Sequence, residues 1–83
     1  MQYNKSKSLQ FLGKAIKSLR NKRKWKKQTL AFYVGLSPST ISRIERGECE
    51  PRYNTLKNIA SAFDLKLAEF ISYVEDIEKN LIK

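Results

Sequence analysis

Apolar residues recur along this chain with the spacing of helices. Near the N-terminus, apolar positions step by 3, 4 and 3 residues, which places them on one helical face: Leu9, Leu12, Ile16 and Leu19. Ser8 precedes this face and is suited to cap the helix, because its hydroxyl can accept a hydrogen bond from a free amide of the first turn. No segment alternates apolar and polar residues for long, so the pattern predicts no strand.

The middle of the chain predicts two short helices joined by a glycine turn. The first runs over about residues 27–34, and Gly35 ends it because glycine readily adopts the left-handed backbone of a helix C-terminus. Ser37 is a favoured N-cap and Pro38 a favoured first helical residue, so they begin the next helix, which stops at Gly47. The residues expected to face inward from the two helices are Leu30, Ala31, Val34, Ile41 and Ile44.

Two more helices are predicted after a loop that contains Pro51. The fourth carries its apolar face on Leu56, Ile59, Ala60 and Phe63. A short turn over residues 64–66 leads to the fifth, which begins near Leu67. The pattern as a whole therefore predicts an all-α domain of five helices.

The fifth helix extends a heptad pattern beyond the rest of the domain. Its apolar residues step by 3, 4, 3 and 4, at Leu67, Phe70, Val74, Ile77 and Leu81. We predict that the last four form a homodimer interface, since the end of this seam has no remaining partner within one chain. The alternative is a frayed amphipathic tail.

The charge of the chain is concentrated at one end. The 83 residues carry 17 basic and 8 acidic side chains, a net charge of +9, on a length that suits one small domain. Residues 1–28 contain ten basic side chains and no acidic one: Lys5, Lys7, Lys14, Lys17, Arg20, Lys22, Arg23, Lys24, Lys26 and Lys27. Such an excess indicates a polyanionic partner, most simply nucleic acid, although a merely solvated basic face is the alternative.

Several classes of protein are disfavoured by what the chain lacks. It has no His, the commonest general base, and its one cysteine, Cys49, allows neither an internal disulfide nor a zinc site of Cys and His. No apolar run approaches the ~20 residues that cross a bilayer, and residues 1–8 lack the apolar core of a signal peptide. We therefore expect a cytoplasmic protein that is not an enzyme and has no catalytic residues, metal, cofactor or membrane partner.

The segment from Gln28 to Gly47 resembles the phage-repressor and Cro-like helix-turn-helix family. The resemblance rests on Leu30-Ala31, on Gly35 and Ser37, and on the run from Ile41 to Gly47, followed at the family's spacing by Pro51, Leu56, Ile59-Ala60 and residues 67–70. It covers about residues 9–71 and implies a compact five-helix lambda-repressor-like DNA-binding domain. We expect a basic N-terminal arm over residues 1–8 before it and a dimerising extension of the fifth helix over residues 72–83 after it.

The resemblance also implies which residues contact double-stranded DNA. The recognition helix, about residues 37–46, would enter the major groove and contact bases through Pro38, Ser39, Thr40 and Arg43. Arg43 can donate two hydrogen bonds to guanine. The alternative for Ser39 and Thr40 is that they are simply residues that suit the first turn of a helix. Family members usually open the second helix with Gln, and this position is Lys27 here. The residues implied to contact phosphates are Lys26, Lys27, Gln28, Ser37, Arg46 and Tyr53.

Other positions are interpreted by the same resemblance. Glu45 is expected to pair internally with Arg20 rather than remain a solvated carboxylate that would repel phosphates. Independently of the resemblance, Trp25 is interpreted as a lid on the core because aromatic side chains more often pack, with an exposed stacking group as the alternative.

Two residues depart from the family pattern. Arg52 replaces the usual cap of the fourth helix, so we expect this cap to be weaker or to be made by Asn54. Asp64 replaces a common glycine, although Asp tolerates the left-handed region better than most residues.

The resulting functional hypothesis is a sequence-specific transcriptional regulator of prokaryotic or phage origin. It would act as a homodimer, as a repressor for example, on a near-palindromic operator. The alternative is an antitoxin or protein-interaction module of a toxin–antitoxin or restriction–modification system, with a toxin or other protein as partner and DNA binding used for autoregulation. The sequence leaves the operator, the sign of regulation and any effector open.

Overall fold

Five α-helices form the domain. The computed structural model describes residues 5–82, and the side chains of residues 7–80. In chain order the helices are α1 (Lys5–Lys22), α2 (Lys27–Val34), α3 (Pro38–Glu45), α4 (Tyr53–Ala62) and α5 (Leu67–Ile82). The described residues contain no strand, so the predicted all-α class is confirmed. Within them no helix is both long enough and apolar enough to cross a membrane.

The start of α1 differs from the prediction. The helix begins at Lys5, so Ser8 lies within the helix and is not the N-cap. The helical face that the sequence predicted is present, but its boundary lies earlier because the residues before Leu9 continue the same backbone. The predicted N-terminal arm therefore overlaps α1 from residue 5 onward, and its residues 1–4 lie outside the described part of the chain.

One apolar core receives a fully buried residue from every helix. These residues, each 0% exposed, are Ile16, Leu30, Ile41, Ile59 and Phe70. Burying side chains of this size stabilises the fold by about 1.5–3 kcal/mol each before the loss of conformational entropy is counted. The assignment of Phe70 to a dimer interface is therefore wrong, because the core of its own chain encloses the ring and leaves no surface for a partner.

Gly13 allows α1 to cross the end of α3 at unusually short range. A Cβ atom at this position would overlap the backbone carbonyl of Glu45 and lie 2.7 Å from the carbonyl oxygen of Ile44. Only a residue without a side chain permits this approach. The sequence analysis missed the role of Gly13, for which a glycine inside a helical pattern was the available signal.

Arg23 connects the two turns that follow α1 and α4. Its Nη2 donates to the carbonyl of Phe63 at 2.9 Å and to Asp64 Oδ2 at 3.1 Å. Lys24 and Asp64, one in each turn, have left-handed backbones with φ of 58° and 59°. Asp64 thus keeps the turn in which relatives often place glycine, as expected.

Trp25 covers the core between α2 and α4. Its ring is half-buried and packs against the core, with ring centroids 5.0 Å from Tyr33 and 5.5 Å from Phe63. The interpretation of Trp25 as a lid is confirmed. Arg52 precedes α4 without a side-chain capping bond, so this helix start has the weaker cap that the departure from the family pattern suggested.

Candidate nucleic-acid interface

The start of α3 is held by its own side chains. Ser37 has an extended backbone, with φ −82° and ψ 153°, and its Oγ accepts a hydrogen bond from the Thr40 amide at 3.1 Å. The Ser37 and Thr40 hydroxyls are also hydrogen-bonded to each other at 2.9 Å. Pro38 occupies the first helical position, and Gly35 ends α2 with φ 71°. The predictions that Gly35 ends α2, that Ser37 caps α3 and that Pro38 is its first residue are confirmed.

The two faces of α3 are sharply different. Ile41 and Ile44 are 0% and 2% exposed and attach the helix to the core. Ser39 and Arg43 lie on the opposite face, where both are exposed, and Arg46 follows on the same side just past the last helical residue. Pro38 is exposed and Thr40 is half-buried. Of the four residues predicted to contact bases, three are therefore exposed at the start of α3 or on its outer face, and Thr40 is only partly accessible.

Two other helix starts carry four of the six residues predicted to contact phosphate. Lys26 is the N-cap residue of α2 and makes no side-chain capping bond, so the first amides of this helix have no side-chain acceptor there. Lys26 and Gln28 are exposed, and Lys27 is half-buried. Tyr53, 64% exposed, is the first residue of α4. A helix N-terminus with free amides and a nearby lysine has the positive potential that suits a phosphate.

Arg46 is engaged within the protein. Its Nε donates to Glu48 Oε2 at 2.7 Å and its Nη2 to Oε1 at 3.2 Å, with both side chains more than half exposed. The hydrogen bonds from Arg46 hold the pKa of Glu48 below its usual value, and the charge of Arg43 lowers it further. To bind phosphate through the same N–H groups, Arg46 must exchange one acceptor for another. The sequence analysis did not identify Glu48, although its opposite charge two residues after Arg46 was a signal.

The turn after α3 fixes the position of Glu48. The Gly47 amide donates to the carbonyl of Ile44 at 3.0 Å, and the Glu48 amide donates to that of Arg43 at 2.9 Å. This pair of bonds, with Gly47 at φ 76°, is the Schellman arrangement that closes many helices. Glu48 is thereby held near both arginines of the recognition segment.

Glu45 pairs with Arg20 inside the domain. Arg20 Nε donates to Oε2 at 2.8 Å and Nη2 to Oε1 at 3.1 Å, while Nη1 donates to the carbonyl of Trp25 at 2.8 Å. The two side chains are 9% and 4% exposed. The structure thus contains the expected internal pair, which connects the end of α3 to α1 and to the loop before α2. The Glu45 carboxylate is therefore paired within the domain and is not a free surface charge.

The last helix is attached to α1, and apolar residues in its second half are covered only in part. Tyr73 shares a 2.8 Å hydrogen bond with the Ser18 hydroxyl, and Lys22 Nζ lies 5.1 Å from the centre of the Tyr73 ring. Val74 and Ile77 are half-buried, and Ile71 is 37% exposed. The Leu81 side chain, also assigned to the dimer interface, lies outside the described side chains.

Comparisons with known proteins agree on one family. A family model, Helix-turn-helix, matches residues 16–70. Over 62 residues, 75% of this chain, the sequence is 37% identical to the HTH-type transcriptional regulator SutR of Escherichia coli (strain K12), but the match spans only 35% of SutR. Over 74 residues it is 32% identical to the competence pilus inhibition repressor of Acinetobacter baylyi, covering 87% of this chain and 67% of that protein.

Two solved structures have the same fold. The restriction-modification controller protein C.AhdI from Aeromonas hydrophila has a TM-score of 0.71 at 29% identity, over 75% of this chain and 94% of that one. The clp gene regulator ClgR from Corynebacterium glutamicum has a TM-score of 0.80 at 22% identity, over 90% of this chain and 81% of that one. At that identity ClgR supports the fold alone.

Proposed function

The chain belongs to the helix-turn-helix family of DNA-binding transcriptional regulators, which is not a family of enzymes, and from this membership we propose that it is a sequence-specific repressor acting as a homodimer. Its target would be a near-palindromic operator. The repressor role is favoured by the likeness to the competence pilus inhibition repressor.

The observation that carries the proposal is the two-sided character of α3. Its inner face is buried through Ile41 and Ile44, whereas Ser39 and Arg43 are exposed on the outer face. We propose that residues 37–46 lie in the major groove with these side chains toward base edges. Arg43 would donate two hydrogen bonds to guanine O6 and N7, the most discriminating contact available to this helix.

The phosphate contacts would come from the surrounding helix starts. Lys26, Lys27 and Gln28 at the start of α2 and Tyr53 at the start of α4 supply cations, amides and a hydroxyl. Arg46 would join them by leaving Glu48 for a phosphate. Such contacts set affinity and register without reading sequence.

We propose that the dimer interface is the apolar face of α5 that its own chain covers only in part. Val74 and Ile77 would form its centre together with Ile71, and Leu81 would extend it toward the chain end. Phe70 contributes only indirectly, by anchoring α5 to the core. A two-fold pair would set two recognition helices about 34–36 Å apart, which is one turn of duplex and requires two half-sites.

Among the classes of regulator that the sequence left open, the restriction–modification controller has specific support. The matched region is 94% of C.AhdI, so a domain of this size is nearly the whole of that controller protein. We therefore propose that a domain of this size is sufficient to bind the operator. Neutralisation of a toxin remains the alternative from sequence, and no contact among the described residues favours it.

The test is selection of bound duplexes from a random DNA pool, followed by sedimentation of the protein free and bound. We expect two inverted half-sites and a dimeric mass. The variant Val74→Asp/Ile77→Asp should give a folded monomer that binds the selected duplex poorly, whereas Lys79→Asp, an exposed change on the same helix, should leave the dimer intact. No enrichment over random DNA at equal salt would contradict sequence-specific binding, and a monomeric mass on the operator would contradict the dimer.

A further inference from the structure

The hydroxyls of Ser37 and Thr40 form a pair at the start of the recognition helix. Their oxygens are 2.9 Å apart, and Ser37 Oγ also accepts from the Thr40 amide at 3.1 Å. Ser37 is exposed and Thr40 half-buried, so both can still meet a ligand. The two residues were assigned separate roles, Ser37 toward phosphate and Thr40 toward a base.

A count of protons shows that these roles are coupled. Each hydroxyl has one proton to donate. One of the two protons lies in the bond between the hydroxyls, so the pair has a single O–H left for DNA. In one arrangement Ser37 donates to Thr40 and Thr40 donates outward. In the other, Thr40 donates to Ser37 and Ser37 donates outward.

A phosphate selects between the two arrangements. Phosphate oxygens only accept hydrogen bonds, so Ser37 can contact a phosphate only by donating its own proton. Thr40 must then donate to Ser37 Oγ, which is left with two acceptor bonds and one donor bond. Thr40 Oγ1 retains only lone pairs and can offer a base nothing but an acceptor.

We propose that Ser37, when it binds phosphate, fixes Thr40 as an acceptor, so that Thr40 selects the exocyclic amino group of adenine or cytosine. These are the major-groove donors, whereas guanine O6 and N7 and thymine O4 are acceptors that would face the Thr40 lone pairs. Ser37 is here a positioning residue that acts through Thr40. This inference rests on the proposed function, since it requires α3 in the major groove.

The test uses single-atom changes in the selected operator. At the base pair whose preference changes in Thr40→Val, the amino group is removed by purine in place of adenine or 2-pyrimidinone in place of cytosine. Acceptors are removed or weakened in parallel with 7-deazaguanine or 4-thiothymine. We expect loss of the amino group to weaken binding of the wild type about two- to tenfold, the scale of one neutral hydrogen bond, and to have no further effect on Thr40→Val. Changes to acceptors should affect the wild type and Thr40→Val equally.

Two Ser37 variants separate positioning from mere capping. Ser37→Gly keeps a residue that is acceptable at the N-cap but lacks the hydroxyl, which frees Thr40 to donate. The dependence on the amino group should then weaken and a dependence on acceptors should appear. Ser37→Thr retains a hydroxyl and should restore the wild-type pattern. Ser61→Ala, which removes an exposed hydroxyl on α4 away from the recognition helix, is the matched control, and thermal unfolding checks that each variant is folded.

The outcomes are distinguishable. The inference is overturned if the contribution of Thr40 to binding depends on the acceptor changes, or on none of the base changes. In either case the protein still binds its operator. An unchanged pattern in Ser37→Gly also overturns it, because Thr40 would then read bases independently of Ser37. If no operator can be selected, the proposed function fails and this inference with it.

Discussion

Two arginine–glutamate pairs lie at the end of α3. They have the same chemistry and differ in burial. Glu45 pairs with Arg20 at 2.8 Å with both side chains under 10% exposed, whereas the next residue, Arg46, pairs with Glu48 at 2.7 Å with both more than half exposed. A buried pair is costly to break because the remaining charge has no water to solvate it. An exposed pair is easily exchanged for another ion. Glu45 thus holds the end of α3 to the rest of the domain, whereas the neighbouring Arg46 has an exposed guanidinium that can exchange its partner.

Breaking the buried pair should have the largest effect. Arg20→Ala and Glu45→Ala should each lower the free energy of unfolding by about 3–5 kcal/mol, because each leaves a partly desolvated charge without its partner. The double variant should cost less than the sum of the two. Denaturant unfolding of the four proteins measures the coupling, and strict additivity would mean that the pair contributes no interaction energy.

Gly13→Ala should disrupt the contact between α1 and the end of α3, where the buried ion pair also lies, by a packing clash instead of a lost charge. The added methyl group would overlap the backbone of Glu45, so we expect a loss of about 1–3 kcal/mol or more, although alanine by itself favours a helix over glycine. Lys14→Ala, on the exposed side of the same turn, is the matched control and should change stability little. A Gly13→Ala protein as stable as the wild type would show that α1 can move away from α3 without cost.

On the exposed side, Arg43→Ala should affect recognition and not folding. We expect a loss of about 1–3 kcal/mol of discrimination at one base pair of each half-site, with an unchanged thermal unfolding temperature. Binding to the selected operator and to random duplex at equal salt measures it. Full operator preference in the variant would exclude Arg43 from base contact.

Glu48→Gln should produce the smallest and most specific change. Without the carboxylate, Arg46 is free to bind phosphate, so affinity for all duplexes should rise and the slope of log affinity against log salt should steepen by up to about 0.9. In an Arg46→Gln background the effect should largely disappear. Because Arg46 lowers the pKa of Glu48, the pair is intact above the ordinary pKa of a glutamate and is lost only as pH falls through that lowered value. The wild type should therefore approach the salt dependence of Glu48→Gln only at acid pH. If Glu48→Gln has the same effect with and without Arg46, Arg46 does not exchange Glu48 for phosphate.

Much of the interface could be predicted from local rules. The turn forms as backbone preferences indicate, since Gly35 ends α2, Ser37 caps α3 and Pro38 begins it. The burial of Ile41 and Ile44 follows from helical periodicity. Glu48 could not be predicted with the same ease, because its pairing depends on where the Schellman turn directs the chain after Gly47. The coupling of Ser37 to Thr40 likewise depends on a distance between two side chains that no residue pattern specifies.

Five helices, their turns and the concentration of basic charge in residues 1–28 follow from the sequence alone, because caps, periodicity and charge are properties of neighbouring residues. Tertiary structure decided which neighbour covers each apolar face. The heptad spacing places Phe70 and Val74 on one stripe, yet the core encloses the first completely and the second only in part. Gly13 shows the same limit, since a glycine in a helix signals close approach but not that the approaching group is the end of α3. Periodicity identifies a shared face, and only the packing of the other four helices assigns its partner.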